Sequence, residues 1–176
     1  MKIFKQAPAL IAALLLVTTA GTGYAADKPT DPQIAHIAYT AGDLDIKAAK
    51  LALEKSKNKS VRAFADDMVR DHQSVNDKAL ALVKKLGVTP EDNDTSKGLV
   101  KQAEGKRAEL EKLSGDAFDK AYAENEVAYH KTVNGALETT LIPSSSNGEL
   151  KSLLQTGLKV FQGHEKHAEG MVKELK

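Results

Sequence analysis

The sequence contains no cysteine and no tryptophan among its 176 residues. The absence of cysteine excludes disulfide bonds, thiolate metal sites and a lipid-modified cysteine after a signal peptide. Only 5% of the residues are aromatic, whereas Ala, Leu, Lys and Glu are abundant, and this composition is typical of an all-helical domain. The chain must therefore be stabilised by a packed helical core, and about 150 residues are enough to bury one.

The first 25 residues have the pattern of an export signal. Lys2 and Lys5 make its start positive, residues 9–17 form a short apolar run, and small residues occupy the cleavage positions of the triplet that ends at Ala25. We therefore predict cleavage after Ala25, a flexible N-terminus over residues 26–32, and a soluble protein that is periplasmic or secreted. The apolar run is shorter than the ~20 residues of a spanning helix and no second run follows, so we expect no membrane span after signal removal.

The chain carries almost no net charge. It has 25 basic and 24 acidic residues, for a net charge of +1, and loss of Lys2 and Lys5 with the signal would leave 23 against 24, or −1. A chain this close to neutral has no general electrostatic attraction for nucleic acid or for anionic membranes. We therefore expect no nucleic-acid partner, while an unknown protein partner remains open.

Apolar residues recur at intervals of three and four along five segments, which predicts amphipathic helices. The first two long helices are expected at about 33–57 and 60–86, with Gly87 as the stop of the second. A shorter helix at 96–113 precedes two more long helices, which are separated by the loop PSSSNG. Long helices joined by short turns pack antiparallel, so the sequence predicts one all-α domain over residues 33–176, a four-helix bundle with a long, partly helical crossover between the second and third main helices.

Each long helix places at least one ionisable residue on or beside its apolar stripe. His72, for example, lies four residues after Met68 and three before Val75, where a leucine would serve. An isolated polar group in a core costs a few kcal/mol and a charge costs more, so several such groups need a common explanation. The residues are Asp45 in the first helix, Asp71 and His72 in the second, Glu126 and His130 in the third, and His164 and His167 in the fourth.

A metal ion in the bundle core would explain these residues together. Imidazole and carboxylate groups are ligands of transition metals, and facing helices of bundles hold carboxylate-bridged metal pairs. His164 and His167 are three residues apart and can share one helix face. We therefore predict an ion of unknown identity, Fe, Mn, Zn or Cu, bound by these seven residues, whereas His36 is predicted to lie at the surface.

Two alternatives remain open at the level of the sequence. In the first, the histidines are structural, held by carboxylates or by tyrosines such as Tyr122, in a non-catalytic envelope or stress-associated interaction protein. In the second, the chain is a di-iron oxidase-type enzyme in which Asp45, Asp71 and Glu126 supply the carboxylates.

The known catalytic motifs are incomplete in this sequence. In GHEKH the histidines are separated by two residues, whereas the zinc-protease motif H-E-x-x-H separates them by three. Glu126 and His130 are four residues apart, whereas di-iron bundles use Glu-x-x-His. With no Ser-His-acid arrangement and no phosphate loop, the sequence favours a binding protein over an enzyme and identifies no catalytic residue.

Two short sequence motifs resemble those of a known family. FA-x-x-MV-x-DH at 64–72 and SG-x-x-FD-x-x-Y at 114–122, together with a terminal helix that carries a histidine, are similar to exported bacterial proteins grouped as domain of unknown function 4142. Some of these proteins are labelled outer membrane proteins. The resemblance spans Asp31 to Leu175 and implies a ferritin-like fold, but no established activity.

The resemblance also implies a set of site residues. The family pattern has an acid in the first helix, Asp-His in the second, and a histidine in both the third and the last. Relatives more often carry glutamate at the first position, which is one methylene longer, and an acid or amide near Glu126. The pattern falls on Asp45, Asp71, His72, His130 and His164.

Overall fold

The computed structural model describes residues 28–175, and the predicted signal peptide lies outside them. Within that range the chain is helical, with no β-strand, so the predicted all-α class is confirmed. The helices are α1 (Asp31–Lys55), α2 (Lys59–Leu86), α3 (Asp94–Glu111), α4 (Gly115–Ala136), a π-helical turn (Leu137–Leu141), α5 (Ile142–Ser144) and α6 (Gly148–Glu174).

Four long helices enclose one interior. α1 packs along α2, α4 packs along α6, and α2 also contacts α6. α3 packs against α1 and forms the helical part of the connection between α2 and α4. This is the predicted four-helix bundle with a partly helical crossover. No helix between residues 28 and 175 is long and apolar enough to span a membrane.

The ends of α1 and α2 follow from their capping residues. Thr30 and Gln33 form a capping box, so α1 begins at Asp31, two residues before the predicted start, and residues 31 and 32 belong to a helix instead of a flexible N-terminus. Asn58 accepts hydrogen bonds from the first backbone N–H groups of α2, and Gly87 ends α2 in the left-handed conformation with φ of 63°.

The end of α4 differs from the prediction. The sequence predicts a loop from Pro143 onward, but the helical path continues through the π-helical turn and α5 as far as Ser144. Pro143 lies in the first turn of α5. The true loop is held by Asp31, whose carboxylate accepts hydrogen bonds from the backbone N–H groups of Ser146 and Asn147 at 3.0 and 2.9 Å.

The apolar interior divides into two clusters along the bundle axis. One contains Phe64, Met68, Tyr122 and Met171, and the other is built around Ile37, Leu137, Leu154 and Phe161. In each of the four long helices, one or two buried ionisable residues lie between the segments that belong to the two clusters. These polar side chains therefore share one level of the bundle, and they are Asp45, His72, Glu126, His130 and His164.

Candidate metal centre

Five ionisable side chains are buried at the level between the two apolar clusters. Each comes from the inward stripe of its helix, because residues three and four apart share a helix face. Each of these five residues retains at most 7% of its solvent-accessible surface. The structure thus brings together five of the seven predicted site residues: Asp45 from α1, His72 from α2, Glu126 and His130 from α4, and His164 from α6.

His72 and Asp45 are in close contact. The His72 Nε2 lies 2.7 Å from the Asp45 Oδ2, but neither atom makes a hydrogen bond of acceptable angle, so the ring N–H direction and the carboxylate are misaligned. The His72 ring stacks on Phe161 with 4.4 Å between centroids and 2° between planes. The stacking fixes the plane of the ring. Both ring nitrogens lack a hydrogen-bond partner.

His130 is held by its own helix. Its Nδ1 lies 2.9 Å from the backbone oxygen of Glu126, one turn earlier, so the ring donates its Nδ1 proton to that carbonyl. The Nε2 then carries a lone pair. This Nε2 is buried without a hydrogen-bond partner and lies 3.5 Å from the Asp45 Oδ2. The backbone of α4 therefore aims a free nitrogen donor into the centre.

His164 is held from outside the centre by Asp71. The His164 Nε2 lies 3.0 Å from the Asp71 Oδ2, and Asp71 also accepts a hydrogen bond from the Arg70 Nε at 2.8 Å. With the proton on Nε2, the buried and unpartnered Nδ1 carries the lone pair. Asp71, predicted as a metal ligand, instead lies at the partly exposed rim and orients His164.

The nitrogens and oxygens of these side chains converge on two overlapping points. One nitrogen from each of His72, His130 and His164 lies within 4.8 Å of the other two. Donor atoms of Asp45, Glu126 and His130 form a second group of the same size. Ligands with bonds of about 2 Å lie about 3 to 4 Å apart around one ion, so small side-chain shifts would bring the three nitrogens onto a shared ion.

The two central carboxyl groups have opposite protonation. Burial raises the pKa of Asp45, but the interactions with His72 and His130 outweigh burial and hold that pKa below its usual value. Burial, reinforced by the negative charge of Asp45, raises the pKa of Glu126 well above its usual value. The same surroundings therefore favour the ionised form of Asp45 and the protonated form of Glu126.

Two of the histidines are held in the neutral form that binds metals. Burial lowers the pKa of His130, and the nearby Asp45 offsets this only in part. Burial also lowers the pKa of His164, against the opposing hydrogen bond with Asp71. Neutral imidazole is the metal-ligating form, so these two ligands need lose no proton at neutral pH.

Two histidines lie outside both groups. His167 is exposed, and its ring packs edge-on against Phe64 with 5.1 Å between centroids, so the structure does not bring it to the point where His164 lies. His164 continues the stripe of Phe161 and Ala168, whereas His167 lies on its flank. His36, predicted at the surface, is half-buried and lines a pocket of about 390 Å³ that also reaches Asp45 and Glu126.

The sequence does not indicate the contacts that Phe161 and Tyr129 make, and it offers Tyr122 as a possible partner of the histidines. Phe161 supports the His72 ring, Tyr129 donates a hydrogen bond from its hydroxyl to the Ala41 carbonyl at 2.8 Å, and Tyr122 has a buried hydroxyl without a partner. The three-residue spacing of Phe161 and His164 signals a shared face. The stacking of Phe161 on His72 joins two helices, and the sequence carries no signal for it.

Solved structures that are similar to this chain include two helical proteins. A DUF305 fragment from Deinococcus radiodurans has a TM-score of 0.70 and 15% identity, over 84% of this chain and 99% of that one. CopM in the Cu(II)-bound form has a TM-score of 0.65 and 11% identity, over 85% of this chain and 100% of that one. Identities this low show a shared fold alone, a helical bundle. No curated protein sequence matches the chain.

A family model gives a more specific result. The model described as domain of unknown function (DUF4142) matches residues 17–171. The matched range contains both motifs on which the resemblance in the sequence depends, as well as all five buried side chains of the centre. The chain belongs to the DUF4142 family.

Proposed function

We propose that the protein binds one transition-metal ion in the middle of the bundle. His72, His130 and His164 supply nitrogen ligands, and Asp45 supplies the charged ligand. The observation that carries this proposal is the convergence of three buried imidazoles that each keep a nitrogen without a hydrogen-bond partner. Buried polar atoms are normally paired, and an ion would pair all of these at once.

The hydrogen bonds around the centre support the proposal. Metal-binding histidines commonly donate their other ring N–H to a carbonyl or carboxylate, which fixes the tautomer and the ring orientation. His130 donates to the Glu126 carbonyl, and His164 donates to Asp71. In both rings the remaining nitrogen is the one that lacks a partner.

The ligand types favour Zn(II) or Cu(II) among the four metals considered. Three imidazoles with one ionised carboxylate suit these ions, and the affinity of nitrogen sites is highest for copper in the divalent series. CopM, which shares the fold, has been solved in a Cu(II)-bound form. Copper and zinc are therefore the first ions to test.

The arrangement favours one ion over a di-iron pair. A pair needs bridging carboxylates, and among residues 28–175 Asp45 and Glu126 are the carboxyl groups buried at this level. Burial and the charge of Asp45 keep Glu126 protonated by raising its pKa, and Asp71 is engaged with Arg70 and His164. We propose a binding protein on this basis, with no assigned reaction.

We also propose that this binding occurs outside the cytoplasm, in the periplasm or after secretion. The positive start, the short apolar run and the cleavage triplet at Ala25 support export. The N-terminal sequence of protein recovered from the periplasmic fraction tests this directly. We expect it to begin at Ala26, and an intact Met1 would contradict export by cleavage.

A metal titration with matched histidine variants tests the proposed binding. Chelator-treated protein should take up one equivalent of Zn(II) or Cu(II) in calorimetry, and His164→Gln should weaken binding by at least tenfold. His167→Gln, three residues further along α6 and outside the centre, is the control and should bind like the wild type. Absence of uptake, or equal loss in both variants, would contradict the proposed site.

A further inference from the structure

A cavity of about 640 Å³ adjoins the centre on the side of the π-helical turn. Its walls are mostly apolar and include Leu137, Leu141 and Leu154, while exposed Thr139 and Thr140 mark the side where it meets solvent. Binding sites for small molecules have volumes of about 300 to 1,000 Å³. The cavity is therefore large enough for a small organic ligand.

Three of the residues that line the cavity are small, and they are Ala38, Ala79 and Gly157. A Cβ on Gly157 would lie 3.3 Å from the ring of Phe161, so alanine at this position would crowd that ring. The volume of the cavity is therefore sensitive to the size of the side chains at Ala38 and Ala79.

The inner end of the cavity is polar. His72 and His130 both line it, and both are nearly fully buried. The Nε2 of His130 is an acceptor without a partner, because the Nδ1 proton is donated to the Glu126 carbonyl. The carboxyl group of Asp45 lies 3.5 Å from this nitrogen. The cavity thus ends in a hydrogen-bond acceptor beside a carboxyl group.

We propose that this cavity binds a small, neutral, largely apolar molecule that carries one hydroxyl group, with phenols as the model class. The apolar walls cover the hydrocarbon part, and the hydroxyl donates its proton to the His130 Nε2. A ligand carboxylate at that end would face the lone pair of the His130 Nε2 and the carboxyl oxygens of Asp45, which disfavours its binding. The inference goes beyond metal binding and does not depend on it, since the walls and the free Nε2 belong to the metal-free protein.

Calorimetry on the metal-free full chain with three probes tests the chemistry of the inner end. The probes are 4-propylphenol, propylbenzene and 4-propylbenzoate, which differ in the group placed at that end. We expect 4-propylphenol to bind about fivefold more tightly than propylbenzene, because one hydrogen bond contributes about 1 kcal/mol. 4-Propylbenzoate should bind more weakly than both. In His130→Phe, 4-propylphenol should lose its advantage over propylbenzene.

Filling the cavity tests the location of the site. Ala79→Leu on α2 places a larger side chain at the cavity wall, and Ala63→Leu, exposed on the same helix, is the matched control. We expect Ala79→Leu to weaken 4-propylphenol at least tenfold and Ala63→Leu to leave its affinity unchanged. If Ala79→Leu melts below the wild type, Ala38→Leu from α1 replaces it with the same expectation.

Three results would overturn the inference. They are the absence of saturable binding of any probe, equal affinity for 4-propylphenol and propylbenzene, and unchanged binding in the folded cavity-filling variant. Because the titrations contain no metal, a failure here leaves the metal proposal standing. A failure of the metal titration likewise leaves the cavity result standing.

Discussion

The Nε2 of His72 lies 2.7 Å from the Oδ2 of Asp45, and this contact joins α1 to α2 inside the bundle. The two atoms lack the alignment of a hydrogen bond. Burial of Asp45 is nevertheless tolerated, because interactions with His72 and His130 lower its pKa. The contact leaves bonding capacity on both side chains free for a third partner, which we assign to a metal ion.

A double-mutant cycle measures this pair. His72→Phe should lower the free energy of unfolding of the metal-free protein by about 3 kcal/mol, because it leaves the buried carboxylate of Asp45 without its nearest partner. Adding Asp45→Asn, which removes the charge, should recover most of that loss. Urea denaturation of the three variants and the wild type gives the coupling, and His167→Phe on the exposed flank is the control. Additive effects of the two substitutions would contradict the pairing.

Glu126→Gln should stabilise the protein at neutral pH. The folded-state pKa of Glu126 is raised by burial and by Asp45, so its contribution to stability is complete below the unfolded pKa of about 4.5 and is lost as pH rises through the raised pKa. Glutamine stays neutral throughout, so the gain should grow between pH 4 and pH 7.5 in urea denaturation.

The matched control for this prediction is Glu124→Gln, on the exposed face of α4. We expect it to change the free energy of unfolding by less than about 0.5 kcal/mol. A gain for Glu126→Gln that is the same at pH 4 and pH 7.5 would show that Glu126 is not protonated in the folded protein.

Metal affinity should depend on pH in a window set by the histidines. Burial lowers the pKa of His130 and of His164 below the usual value of about 6.5, so protons compete with the ion only below that value. Dissociation constants for Zn(II) should change little between pH 8 and pH 6.5 and rise below that range. A loss of affinity that is already complete at pH 6.5 would contradict the lowered pKa values of these rings.

Asp71→Asn should weaken metal binding although Asp71 is not placed as a ligand. Its carboxylate holds the His164 Nε2 at 3.0 Å, and loss of such a support typically costs about ten- to a hundredfold in affinity. Asp67→Asn is the control, because Asp67 also contacts Arg70 but has no contact with His164 among the ion pairs of residues 28–175. The affinities for the metal ion can be measured by competition with a chelating dye. Equal affinities of the two variants would contradict the support of His164 by Asp71.

Much of the fold and part of the centre follow from the sequence. The spacing of apolar residues places the four long helices within a few residues of their true ends, and the interruptions of the stripe at His72, His130 and His164 identify buried polar groups. Asp71 and His167 show the limit of this reasoning. Helical phase gives the angle of a side chain around its own helix, but the rotation of each helix against its neighbours decides whether that angle reaches the centre.

The cavity is harder to predict because it depends on the distances between helices. Ala38 and Gly157 are compatible with close helix packing as well as with open space, since small residues permit both. Only the arrangement of the π-helical turn against α6 shows whether these positions are closely packed or leave open space. The hydrogen bond from Tyr129 to the Ala41 carbonyl likewise joins residues 88 positions apart, for which no local pattern gives a signal.

X-ray absorption at the metal edge of the protein loaded with one equivalent of Zn(II) tests the central claim most directly. The account predicts a shell of three imidazole nitrogens and one oxygen, with Zn–N distances of about 2.0 to 2.1 Å. The same measurement on His130→Phe should show one imidazole fewer or no bound ion. A shell with one imidazole or none in the wild type would contradict a metal centre built from His72, His130 and His164.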